Sequence, residues 1–151
     1  MTVDKLKEKF LSILLAIIIF VSDLSLRWSS KLDMERLVDK TVDYSSIGFG
    51  FLLTVLAILL QSQTKALLAI KNAGRFNDLI NANKKGVIAS LILVFISIVY
   101  LALTRADLFN LILYKEFSIK QLTDSAFLSI LVYQLVEVVL FLEIFYIAIK
   151  D

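Results

Sequence analysis

Four apolar stretches, roughly Phe10 to Leu26, Ser45 to Gln61, Gly86 to Leu103 and Ala126 to Ile149, dominate this chain of 151 residues. Each approaches or reaches the run of about 20 apolar residues that a helix needs to cross a bilayer. The pieces between them are too short to build a hydrophobic core of their own. The expectation is therefore an all-α, integral membrane four-helix protein. Residues 1–151 are expected to form one transmembrane domain with no soluble enzyme attached.

Composition agrees and narrows the chemistry. Hydrophobic residues make up 59% of the chain, and the mean hydropathy is +0.84. The net charge of +2 is the small difference of 16 basic and 14 acidic residues, nearly all in the connectors, so no basic surface suggests nucleic-acid binding. Cysteine and histidine are both absent. Disulfides, thiolate nucleophiles, thiol-rich zinc sites, histidine-ligated haem and histidine-based triads are thereby excluded, and no cofactor, metal or enzymatic activity is expected. Proline is absent too, so any bend in a span must use glycine or serine.

Lys5, Lys7 and Lys9 before an apolar core resemble the start of a signal peptide, but no convincing small-residue cleavage site follows. Residues 10–26 read as a retained first helix with Asp23 at its far end. Basic residues number three before span 1, four and five in the next two connectors, three in the last connector and one after span 4. With Lys84 and Lys85 directly before span 3, this places both termini and the middle connector in the cytoplasm. The middle connector, 63–85, sets apolar Leu67, Leu68, Ile70, Phe76, Leu79 and Ile80 among Lys65, Lys71 and Arg75. It reads as a helical continuation of span 2, breakable at Asn72 or Gly74, lying near an anionic leaflet or docking a partner. In the last connector, Leu108 to Tyr114 reads as a short amphipathic helix.

Polar residues inside the spans are the candidate functional groups. Ser46, Gly50, Thr54, Ala57 and Gln61 share one face of span 2 within about 80° at 100° per residue. Such a face either packs tightly on another helix or lines water. Ser90, Ser97 and Thr104 repeat the pattern on span 3. On span 4, Ser129, Tyr133, Glu137, Glu143 and Tyr146 fall on one side, with Glu137 near the middle. A charge at that depth costs about 2.5–3.5 kcal/mol on insertion scales, so Glu137 must face protein, water or a partner. It is either a hydrogen-bonded packing residue or part of an ion or proton pathway. Glu143 lies about 120° away and forms no catalytic dyad with it.

The end of span 2 and its continuation read Leu53-Thr54-Val55-Leu56-Ala57-Ile58-Leu59-Leu60, then Ser62, Thr64, Lys65, Leu67, Ile70, Lys71 and Gly74. This pattern, over about twenty residues, resembles the RexB family, the small four-span membrane proteins of lambda-type phage exclusion systems; the size and basic middle connector are similar as well. The resemblance implies an inner-membrane protein of a bacterium that forms an ion-permeable pore once a cytoplasmic sensor protein detects infection. Ser62, Thr64, Lys65, Lys71 and Gly74 would form the cytoplasmic collar on which the sensor acts, beside Arg75. The carboxylates of span 4 are not carried over from the family.

The leading expectation is thus a homo-oligomeric, gated, membrane-depolarising effector of phage exclusion or other antiviral defence. Its polar face would be drawn from Glu137, Glu143, Tyr133, Ser129, Gly50, Thr54 and Gln61, with several subunits around an axis lined by span 2 or span 4. The alternative is a non-conducting anchor or regulatory subunit that binds a membrane partner through span 2. A proton-coupled transporter ranks lower, for lack of an inverted repeat or broken helix.

Overall fold

In a computed structural model, residues 3–61, 76–106, 112–114 and 117–150 are described, with side chains placed at 10–61, 76–106 and 118–146. Four α-helices dominate: α1 (Val3–Leu26), α2 (Met34–Gln61), α3 (Phe76–Arg105) and α4 (Ile119–Lys150). The helices alternate in direction. α1 packs along α4, α4 along α3, and α3 along α2.

The turns are set by local chemistry. α1 stops at Arg27, whose left-handed backbone (φ 51°) closes the last turn with its N–H on the Asp23 carbonyl at 2.8 Å. A 3₁₀ turn, Trp28–Lys31, then leads to Asp33. Asp33 caps α2 by accepting the Arg36 N–H at 3.2 Å, satisfying one of the free donors of the first turn. Ser118 caps α4 in the same way, accepting the Gln121 N–H at 3.1 Å. The Gln121 side chain does not return to its own cap. It reaches across to the Leu24 carbonyl at 3.1 Å and ties the end of α1 to the start of α4.

Three helices, Met34–Gln61, Phe76–Arg105 and Ile119–Tyr146, are long and apolar enough to cross a membrane, whereas the apolar part of α1 is the shorter Phe10–Leu26. At 1.5 Å per residue, a helix of 28 residues, such as α2, is about 42 Å long, more than the roughly 30 Å hydrocarbon core requires. The surplus extends the helices past the expected spans. α2 begins at Met34 rather than near Ser45, so Glu35 to Asp43 are helical, and Phe76–Lys85 is the first part of α3. Charged residues are no bar to a helix that is longer than the hydrocarbon core requires. Ile112–Tyr114 pairs antiparallel with Phe117–Ser118, so the amphipathic helix expected to end at Tyr114 is replaced there by a strand. β-Branched and aromatic residues in so short a run favour the extended form. Residues 108–111 and 62–75 lie outside the described residues.

The buried apolar side chains form two clusters. Met34, Val38, Leu93, Tyr100, Phe127 and Leu128 fill the end near Trp28, and Leu52, Leu59, Leu79, Ala82 and Phe141 fill the opposite end. Between them the interior is polar.

Candidate functional site

Among the described residues, as many polar or charged side chains as apolar ones are fully buried, while large apolar side chains such as Ile47, Phe51, Phe95, Ile98 and Val139 face outward. In water this distribution is inverted. It suits a chain surrounded by lipid, where every polar group must find its partner inside.

α2 shows how the interior is built. Met34, Val38, Thr41, Ser45, Leu52 and Leu59 are its buried residues, spaced by fours, threes and sevens, which is the seam of a helix in a bundle. Gly48 falls on the same seam. A Cβ there would lie 3.8 Å from Gln134 Nε2 and 4.0 Å from Ser90 Oγ, so α2, α3 and α4 converge at this point. Gly48, Ser90 and Gln134 each sit close to the midpoint of their helix. The polar belt therefore lies where a bilayer would be most apolar. Gln134 Nε2 donates to Ser90 Oγ at 3.0 Å, and toward the end of the bundle near Phe76, Asn83 Nδ2 donates to the Leu52 carbonyl at 3.0 Å. Three buried oxygens, Ser45 Oγ, Asn83 Oδ1 and Gln134 Oε1, have no hydrogen-bond partner among the described residues.

The second polar seam joins α1 to α4. Glu137, one turn beyond Gln134, is only 3% exposed and accepts the Ser12 hydroxyl at 2.6 Å. Nearer Trp28, Asp23 accepts the Ser125 hydroxyl at 2.6 Å and the Ser29 N–H at 2.7 Å. Beside it, Asp124 accepts the Tyr100 hydroxyl at 2.5 Å. Each buried carboxylate thus meets at least one hydroxyl donor, which lowers the cost of holding it away from water.

The expected site residues divide. Glu137 is buried and central, and Tyr133, one turn earlier on α4, is half-buried and interacts with it. Ser129 is half-buried and turned back to the Ala126 carbonyl at 3.2 Å. Glu143 and Tyr146 are exposed, so the residues expected on one side of span 4 do not share one environment. The span-2 stripe needs a larger correction: Ser46, Gly50, Thr54, Ala57 and Gln61 all face outward, and a Cβ added at Gly50 would meet nothing within 4 Å. The inward face, carrying Ser45, Gly48, Leu52 and Leu59, lies on the opposite side of the helix. Ser90 and Ser97 are buried, and Thr104 is half-buried. Ser62, Thr64, Lys65, Lys71, Gly74 and Arg75 lie outside the described residues.

Gln134, Asn83, Ser45, Ser12, Asp23 and Asp124 are the groups that reading along the sequence passed over. An amide inside the most apolar helix is a signal in itself, because it must be buried against a partner. Asn83, Asp23 and Asp124 sat at span edges, where charge and amide are ordinary. At the Trp28 end, Asp33, Glu35, Arg36, Asp39, Leu101 and Arg105 line an open depression of ≈ 300 Å³. Among the described residues, no group of three or more acidic side chains could hold a metal ion.

Among the described residues the fold is all-helical in its main elements, with four helices, three of them long and apolar enough to cross a membrane, closed around a polar middle. Comparison with protein-family models, curated proteins and solved structures returns no match.

Proposed function

We propose that this protein is a membrane-embedded effector that conducts ions across the bilayer when triggered, and so depolarises the membrane. The observation that supports this most is the polar belt of Gly48, Ser90 and Gln134, with Glu137 one turn away, midway along helices long enough to span the bilayer. Polar and ionisable groups at that depth are costly and mark pathways for ions or protons. The apolar clusters on either side, with Phe127 and Phe141 fully buried, are suited to hold such a pathway shut by excluding water.

The antiviral setting, the bacterial inner membrane, cytoplasmic termini and a cytoplasmic sensor protein follow from the resemblance to the RexB family and the distribution of basic residues. The outward stripe of α2 supports a homo-oligomer, because small residues without neighbours let a second helix approach closely. The same stripe favours the second reading, a non-conducting anchor or regulatory subunit bound to another membrane protein. Flux measurements on reconstituted protein separate the two: the effector passes ions and the anchor does not.

A further inference from the structure

We propose that the seam between α2, α3 and α4 binds a single file of water molecules, and that this file, inside one subunit, is the route by which ions or protons cross the centre of the bilayer. The hydration rests on the seam's own geometry; its use as a route rests on the ion-conducting reading above.

Ser45, Asn83 and Gln134 are fully buried, come from three different helices, and each holds a side-chain oxygen without a partner among the described residues. For both amides the nitrogen is already engaged, on Ser90 and on the Leu52 carbonyl, so the oxygens left over are acceptors. A water molecule supplies the donor each one lacks. Buried polar groups of this kind are the usual ligands of internal water.

The spacing fits a file. Along α2 the three levels are Ser45, then Gly48 against Gln134, then Leu52 against Asn83. At 1.5 Å per residue these are about 4.5 and 6 Å apart, steps that one bridging water covers in the first case and two hydrogen-bonded waters in the second. Gly48 makes the room, because its missing side chain leaves Gln134 and Ser90 against bare backbone. Glu137 faces Ser12 on the other side of α4 and lies outside the file.

The test uses the full chain, which has no cysteine of its own, in membranes and with Phe141→Leu added, so that the apolar cluster at that end no longer keeps silver out of the seam. Ser45→Cys and Gly48→Cys place a thiol in the seam, and lipid-facing Ile47→Cys serves as the control. Silver ions reach a thiol only through water, and protected thiols are counted afterwards by maleimide labelling of the denatured chain. Silver is expected to block positions 45 and 48 at least ten times faster than position 47. Equal rates at all three overturn the proposal. X-ray hydroxyl-radical footprinting of the unsubstituted protein checks the result without any variant: labelling of buried Leu52 and Leu93 supports internal water, and none overturns it. Silver reaction without conductance supports the seam and overturns the ion-conducting reading. Conductance without silver reaction overturns the seam and places the route between subunits.

Discussion

The hydroxyl of Ser12 on α1 donates a 2.6 Å hydrogen bond to Glu137 on α4, 125 residues away in the chain. This contact fixes the shortest apolar helix to the one that carries the buried acid. It also settles what Glu137 faces: a serine of its own chain.

Replacing Glu137 tests whether shape or charge matters there. Glu137→Gln keeps an oxygen for Ser12 and is expected to retain most of the stability. Glu137→Ala removes the acceptor and leaves the buried Ser12 hydroxyl unsatisfied, a loss of about 1–3 kcal/mol. Unfolding in detergent measures both. Conductance lost in Glu137→Ala and kept in Glu137→Gln would show that Glu137 acts by hydrogen bonding; loss in both would show that its charge is needed.

Gly86 faces the Leu52 side chain so closely that an added Cβ would sit 2.9 Å from Leu52 Cδ1. Leu52 is fully buried and has little room to turn. Gly86→Val is therefore expected to cost about 1–3 kcal/mol by overpacking, and Leu52→Ala in the same chain to recover part of it. Gly50→Ala, on the open face, is expected to stay within about 0.5 kcal/mol in the monomer. Thermal unfolding of the variants checks the order, and equal costs at Gly50 and Gly86 would contradict it.

The two opposite faces of α2 show how much was legible. Apolar run length was enough for the order of the four long helices among the described residues, because a bilayer leaves the backbone little choice. The inward face was not readable from small residues, since Ser45 and Ser46 are adjacent, Gly48 and Gly50 nearly so, and both stripes look alike. What separates them is the partners: Gln134, Ser90 and Asn83 lie on other helices, and their pairing is a property of packing. Glu137 was legible because an acid amid apolar residues needs a reason wherever it falls. Asp23 and Asp124 were not, because an acid at a span edge normally meets water, and only the meeting of the ends of α1, α3 and α4 buries them.

Tyr100 and Asp124 offer a test at that end. Tyr100→Phe leaves the buried Asp124 without its hydroxyl donor and is expected to destabilise by about 1.5–3 kcal/mol. In a double-mutant cycle with Asp124→Asn, a coupling of about 0.5–3 kcal/mol is expected. By contrast, Lys40→Ala breaks an exposed contact to Asp43 at 3.7 Å and should change stability by less than about 1 kcal/mol. Additive effects of the Tyr100 and Asp124 substitutions would contradict the buried contact.

Phe141 is fully buried beside Leu52 and Leu59, where the apolar cluster closes one side of the polar belt. Phe141→Leu keeps the site apolar, at a cost of about 1.5 kcal/mol or less, and reduces the bulk that excludes water. Cells expressing this variant are expected to lose membrane potential without any trigger. An unchanged potential at equal expression would contradict a gate at Phe141.

The most direct test of the central claim is ion flux into lipid vesicles containing the purified protein, followed with a membrane-potential dye. Wild type, still closed, should pass little current, and Phe141→Leu should collapse an imposed potential. Vesicles that hold their potential with both proteins, under every triggering condition tried, would contradict the account and leave the protein a non-conducting membrane subunit.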